Sequence, residues 1–519
     1  MNKYLIITCF AINGFIMKSR SQDIERVKEI NPSPNGNSSP YNFTVANNKL
    51  FFIAFDPTNF NKLWVTDGST VNTQMLGPAG GVLSSIANLV AFNNKVFFSF
   101  NDNINGQELW VSDGTIAGTV LFKDLYAGTT GSFPYGFTVA NNKLFFIADD
   151  VNGQRRLFVS DGTAAGTVVL KNGYIDLFNG LTSFAILNND IYFRGDNGTG
   201  SGYGLWKTNG VSTVLLQPDV IPGTTGCNYV VLNNKVYFSA FDYTNGSELW
   251  VSDGSAGGTH IVKNIGPDGG GVLGSGAPSS LVVYNSKIYF PGKDDINGVE
   301  LWVTDGTDPG THLVKDILPG TTGSQPFDMM VYKGLLYMVC SATNELWKSD
   351  GSAAGTVLVK AILPYSKIAA NWNNTLYFSN SFDNVLWESD GTAPGTGALK
   401  VQNTNNPVSA YGADTRFTEY NASLYFSGSC YLITSGYEPC KLTAGTAAVT
   451  SFSFTGNGNW SNPANWSGGL VPPASLPPGY NIVINGNCIL DITQHLQAGS
   501  SLTVAAGKSL VILGSLGIL

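Results

Sequence analysis

Carboxylates, histidines and cysteines are the side chains of this 519-residue chain that could do chemistry, and each has a distinct placement. An aspartate recurs in a tripeptide such as Asp305-Gly306-Thr307. Its carboxylate can accept backbone N–H groups two residues on, and the glycine permits a left-handed turn. Calcium, which takes about six to eight oxygens, is the other conceivable use, but one carboxylate per turn is too few. A second set lies in Asn101-Asp102-Asn103-Ile104-Asn105-Gly106, Asp149-Asp150-Val151-Asn152-Gly153 and Asp294-Asp295-Ile296-Asn297-Gly298. Paired carboxylates beside an asparagine could hold a cation. Asn-Gly is also a strong hairpin signal, and the EF-hand spacing with its terminal glutamate is absent. His260 and His312 occupy the same slot after Gly-Thr, and His495 stands apart. There is no HExxH, no GxSxG, no phosphate-binding glycine loop and no Cys-His set. No catalytic, cofactor-binding or metal-ligating residue is therefore assigned. A carboxylate pair for glycoside chemistry stays open, because acidic residues occur in every unit.

The six cysteines are Cys9, Cys227, Cys340, Cys430, Cys440 and Cys488, with no CxxC pair to suggest zinc. Cys430 and Cys440 are spaced either to bridge across a hairpin or to remain two thiols. The charged fraction is 12%, glycine is abundant at 61 residues, and aromatic residues are plentiful. That composition suits strands joined by tight turns and does not suit disorder. A net charge of −8 and a pI near 4.9 argue against nucleic acid or an anionic membrane surface as partner. Lys3, the apolar run Tyr4 to Met17 and the small residues Ser19 and Ser21 read as an export signal over residues 1–21. Lys18 and Arg20 after that run are the feature an anchor would share, but the run is short for a span.

The elements that position these residues repeat. Phe43-Thr44-Val45-Ala46, a turn Asn47-Asn48, and Lys49-Leu50-Phe51-Phe52-Ile53 form a hairpin. Then come a polar loop, Leu63-Trp64-Val65-Thr66-Asp67-Gly68 and a fourth apolar run. The third-strand aromatic recurs as Trp64, Trp110, Phe158, Trp206, Trp250, Trp302, Trp347 and Trp387. A period of roughly forty to fifty residues with four strands per unit marks a β-propeller. A ninth, eroded unit has Tyr437-Glu438-Pro439-Cys440 where Glu-Leu-Trp is expected. The fold class is thus all-β, a propeller of eight or nine four-stranded blades. Val27-Lys28-Glu29-Ile30 matches the end of a unit and is expected to supply the last blade's outer strand.

Strand alternation puts Leu301 and Val303 on one face and Trp302 and Thr304 on the other. Packing between adjacent blades accounts for the repeated aromatic, and a ring of exposed tryptophans stacking on sugars is the alternative. Beyond residue 453 the composition shifts to Asn459-Trp460, Asn465-Trp466, paired prolines and short β-runs. Residues 22–452 are expected to form the propeller, and residues 453–519 a β-rich module whose short runs suggest the first coils of a β-solenoid cut off in mid-pattern.

The repeat Glu300-Leu301-Trp302-Val303-Thr304-Asp305-Gly306-Thr307 and its copies resemble the secreted bacterial family defined by ELWxxDGT repeats. The unit at Phe158 departs from the motif by its aromatic, and the unit at Trp206 by Asn209 in place of aspartate. The Asn-Trp module is similar to modules in surface proteins of Bacteroidetes-type bacteria, which often end in a sorting domain not recognisable here. The resemblance implies a secreted or outer-surface protein and no assigned chemistry. The function expected is non-catalytic binding or adhesion to a glycan or an extracellular protein. A polysaccharide hydrolase or lyase, or a structural surface spacer, is the alternative. No cofactor is expected beyond the calcium considered above.

Overall fold

The computed structural model describes residues 6–8, 23–33, 36–77, 86–171, 185–196, 202–222, 229–266, 280–363, 366–380, 384–399, 408–410, 417–429, 436–443, 451–467, 471–472, 475–476, 481–497, 500–513 and 515–518. Two units emerge: Ile24–Thr443, and Ala444–Leu519 with Met1–Asp23.

The first unit is a nine-bladed propeller. Its building block is clearest in blade 6, whose strands Val282–Tyr284, Lys287–Asp294, Gly298–Thr304 and His312–Lys315 lie side by side in chain order. The Asn-Asn turns set the first hairpin of each blade. Asn47 and Asn48 have φ of 49° and 54°, and even the divergent pair Asn421-Ala422 has 48° and 54°. Positive φ at both central residues is the twist that a two-residue antiparallel hairpin needs. A one-residue bulge interrupts the fourth strand opposite Leu-Trp, so that Leu301 faces Lys315 while Trp302 faces Leu313. First strands of successive blades touch one another, which makes them the innermost strands.

Each blade buries both faces. Leu301 and Val303 pack toward blade 7, and Trp302 packs toward blade 5. Nine apolar clusters of this kind fill the nine seams. Trp64, Trp110, Trp250 and Trp302 are buried, as is Phe158 in the same slot, and the half-buried Trp206, Trp347 and Trp387 pack against their seam clusters, so packing is the role of the repeated aromatic. Burial of one such ring contributes about 2–3 kcal/mol.

The ninth blade settles the count between eight and nine. Its strands Thr418–Tyr420, Ser423–Ser429 and Glu438–Thr443 come from the C-terminal end of the propeller, and its outer strand Asp23–Arg26 comes from the N-terminus. The pairing lies just upstream of the segment expected from sequence. Val27 continues it by donating its N–H to Pro439 O at 2.8 Å. Val27 and Ile30 are buried in the seam with blade 1, against Phe52, Trp64 and Tyr425. The N-terminal strand therefore covers the edge of Glu438–Thr443 and closes the ring.

The C-terminal module is a parallel β-solenoid. Ser451–Phe454, Asn481–Ile484 and Ser501–Val504 stack in parallel register on one side. Asn457–Asn459, Asn487–Leu490 and Ser509–Ile512 form the second side, and Ser475–Leu476, Thr493–Leu496 and Ser515–Ile518 the third. The Asn-Trp pair anchors the first coil: Trp460 and Trp466 are buried edge to face, and Trp466 Nε1 donates to Trp460 O at 2.7 Å. Ile6–Thr8, within the stretch read as an export signal, pairs antiparallel with Ser501–Thr503. No helix among the described residues is long and apolar enough to cross a membrane.

A chain lacking residues 23–31 loses two buried aliphatic side chains and the backbone donors that meet Glu438. A loss on the order of 5 kcal/mol or more is expected, read as a lower urea midpoint. An unchanged midpoint would contradict closure by the N-terminal strand.

Candidate functional site

The residues that repeat converge on the seams between blades, and most are consumed there. The turn after the third strand is saturated by its own chain. Asp305 Oδ1 accepts the N–H and the hydroxyl of Thr307 at 2.9 and 2.7 Å. Thr307 in turn accepts the Gly310 N–H, and Thr311 Oγ1 donates to Thr307 O. The Thr307 hydroxyl, then its N–H, hold the Asp305 carboxyl below the usual carboxylate range. Asp113, Asp161, Asp253 and Asp350 are shifted the same way by the hydroxyl of the residue two on. Gly306 has φ +95°, and a Cβ there would sit 2.2 Å from the Tyr237 hydroxyl of the preceding blade. The same clash recurs between Gly351 and Tyr289, Gly391 and Tyr337, and, across the closing seam, Gly68 and Tyr425. The tripeptide is thus a seam fitting.

A lysine of the preceding blade meets the same turn. Lys49 Nζ donates to Gly114 O at 3.2 Å and Lys143 Nζ to Gly210 O at 2.9 Å, both from the start of the second strand. Lys348 reaches Gly391 O and Lys441 reaches Gly68 O from the third strand instead. On the fourth strand, the bulge lets Lys315 Nζ reach Thr356 O of the next blade at 2.7 Å. Lys28, two residues past the closing strand, makes the equivalent bond to Thr73 O, also at 2.7 Å.

The residue that sequence reasoning left without a role is the glutamate of Glu-Leu-Trp. Glu300 is fully buried. Its carboxylate accepts the N–H of Leu318 and of Ser324, both at 2.8 Å, and the Ser324 hydroxyl at 2.5 Å. Glu108 holds Leu125, Tyr126 and Ser132 in the same way. Glu248 accepts from Gly266 N–H at 2.9 Å. In blade 9, Glu438 accepts the N–H groups of Ile30 and Asn31 and the hydroxyl of Ser38. Each carboxylate thus grips the segment that leaves one blade for the next. Burial pushes the Glu108, Glu300 and Glu438 carboxyls above their ordinary range in spite of these donors. Blade 1 has Lys62 in the slot, buried, with its ammonium group 5.3 Å from the Phe100 ring and its pKa drawn down by burial.

The loops before the third strand are turns. Asp294 Oδ1 accepts the N–H groups of Ile296 and Asn297, and its Oδ2 accepts the Asn297 side chain. Asp102 and Asp242 repeat the pattern with Asn105 and Asn245. No cluster of three or more metal-ligating side chains occurs among the described residues. These rigid turns instead display apolar tips: Ile104 is 74% exposed, Val151 77%, Tyr243 68% and Ile296 78%.

His260 and His312 each open a fourth strand opposite Val251 and Val303, and both are exposed. His495 belongs to the solenoid, opposite Ser475 and Gly517. Cys440 is disulfide-bonded, and its candidate partner Cys430 lies outside the described residues. Cys340 and Cys488 are buried thiols, each pushed up to about 12 chiefly by burial.

No family model matches the chain, and no curated protein does. Among solved structures it is similar to the computationally designed Ika8 protein, at 12% identity over 70% of this chain and 98% of that one, with a TM-score of 0.40. It is also similar to a prolyl endopeptidase, at 12% identity over 68% of this chain and 54% of that one, TM-score 0.36. For puromycin hydrolase the values are 13%, 60% and 51%, with a TM-score of 0.34. The chain spans about half the length of either enzyme, and these likenesses bring no chemistry to it.

Replacing Ser324 by Ala removes one hydrogen bond to a buried carboxylate and should cost about 1.5–3 kcal/mol in denaturant unfolding. The pH dependence has a definite sign. Because the folded pKa of Glu300 is raised, its stabilising share is complete below the ordinary glutamate value near ~4.3 and is lost as pH rises through the folded value. The stability of the wild type relative to Glu300→Gln should therefore be greatest at low pH and decline toward neutrality. A gap that widens toward neutrality would contradict this.

Proposed function

We propose that the protein is a non-catalytic, exported binding protein of the ELWxxDGT-repeat class, using its propeller to engage a glycan or an extracellular protein. One observation carries this reading: the carboxylates that repeat from blade to blade are already spent on turns and seams. Asp305 is capped by Thr307, Asp294 by Asn297, and Glu300 by Ser324 and two backbone N–H groups. Surface variation is left to loop tips held on stiff turns, and these are apolar in several blades. Side chains displayed on a pre-ordered scaffold lose little entropy on contact, which favours recognition. The proposed export follows from residues 1–21 read as a signal, and an outer-surface location from the resemblance of the repeat and of the Asn-Trp module.

Incubating the full chain with a glycan array and an array of extracellular proteins tests the reading. Saturable binding without product is expected, weakened when Ile104, Tyr243 and Ile296 are each replaced by Ser. Release of cleaved sugar would contradict it in favour of a polysaccharide hydrolase or lyase. Absence of binding on both arrays would favour a structural spacer.

A further inference from the structure

The closing seam between blades 9 and 1 contains a cavity beside a small residue, Ser423. The second strand of blades 1, 2, 3, 5 and 6 begins with Lys49, Lys95, Lys143, Lys235 and Lys287. Blades 4, 7 and 8 begin the same strand with Asp190, Leu335 and Thr375, and blade 9 begins it with Ser423. Its lysine comes from the third strand instead, where Lys441 Nζ lies 3.1 Å from Gly68 O and 3.2 Å from Glu25 Oε2. In those five blades the position of Lys441 is held by a valine, such as Val65 or Val303. A cavity of about 440 Å³ lies beside Ser423, at the position where those five blades carry a lysine.

Two acids and two bases, Glu25, Asp67, Arg26 and Lys441, face this cavity, so the formal charge of its lining is zero. The hydroxyls of Ser69, Thr70 and Ser423 and the Asn421 amide complete its polar wall. Part of this wall is already fixed. Asp67 is held by the hydroxyl of Ser69 and the amide of Asn72, and Thr70 Oγ1 donates to Val27 O. A free anion would meet two carboxylates, and a free cation two basic groups. A ligand with several neutral hydroxyls can donate to the acids and accept from Lys441 and Asn421 at once. The volume lies in the range of small-molecule sites.

We infer that this seam cavity binds one or two residues of a neutral sugar, which deepens the glycan side of the proposed function and rests on it. The site is built from both ends of the propeller, so it exists only when the N-terminal strand has closed the ring.

Isothermal titration of the full chain with glucose, galactose, mannose and their β-1,4-linked disaccharides tests the inference, with glucuronate and glucosamine as charged comparisons. The key variant is Ser423→Lys with Lys441→Val, which recreates the arrangement of five other blades and fills the cavity. Asn421→Gly is a second variant that removes a hydrogen-bonding group and keeps the positive φ of the hairpin turn. A neutral sugar should bind the wild type, and each variant should weaken it by about tenfold or more. Unchanged binding in both variants overturns the cavity assignment while leaving glycan recognition elsewhere on the propeller intact. Preference for glucuronate or glucosamine overturns the neutral-sugar assignment. A wild type that binds no sugar here or on the glycan array overturns the glycan reading as well.

Discussion

A buried carboxylate that grips backbone N–H groups of the chain as it crosses to the next blade is the constraint that shapes the seams of blades 2, 5, 6 and 9. Burying an ion is expensive unless its lone pairs are used, and truncating it strands the groups that met it. Glu300 meets this condition with two N–H donors and one hydroxyl. The upward displacement of its pKa shows that desolvation still outweighs those donors. The gain from such a clamp is therefore one of specificity. A neighbouring blade that docks in the wrong register leaves a buried glutamate without donors, and that state is heavily penalised.

The clamp also explains how a ring built from two chain ends can close like any other seam. Glu438 holds Ile30, Asn31 and Ser38 as Glu108 holds Leu125, Tyr126 and Ser132. Lys28 reaches Thr73 O as Lys315 reaches Thr356 O, and Tyr425 meets Gly68 as Tyr237 meets Gly306. Three independent contacts thus carry the blade-to-blade pattern across the break in the chain. The apolar cluster around Val27 and Ile30 completes the match. The closing seam lacks the second-strand lysine of blades 1, 2, 3, 5 and 6, with Ser423 in its place, and the cavity lies beside that serine.

Features with a local physical cause were legible in the sequence. Asn47-Asn48 marks a hairpin because asparagine tolerates positive φ. Asp305-Gly306-Thr307 marks a turn because its bonds are made within a few residues. The alternation at Leu301 and Trp302 forecast the two buried faces correctly. Features that depend on distant partners were less legible. The clamp pairs Glu300 with Ser324, and Glu108 with Ser132, each over 24 residues. That repeated 24-residue spacing is the signal the sequence carries, and it is less conspicuous than the aromatic beside the glutamate. In blade 9 the same partner lies 400 residues away, which no spacing pattern reveals. The blade count had the same difficulty, since Pro439 and Cys440 replace Leu and Trp and the fourth strand sits at the other end of the chain. The seam cavity depends on Ser423 standing beside Glu25 and Asp67, residues from the opposite end of the chain, which no local pattern shows.

Amide hydrogen exchange tests the central claim most directly. If Glu438 clamps the closing seam as Glu300 clamps an interior one, the amides of Ile30 and Asn31 should be protected to the same degree as those of Leu318 and Ser324. Replacing Glu438 by Ala should then release Ile30 and Asn31 and leave Leu318 and Ser324 protected. Rapid exchange of Ile30 and Asn31 in the wild-type protein, at rates typical of an exposed terminus, would contradict the account.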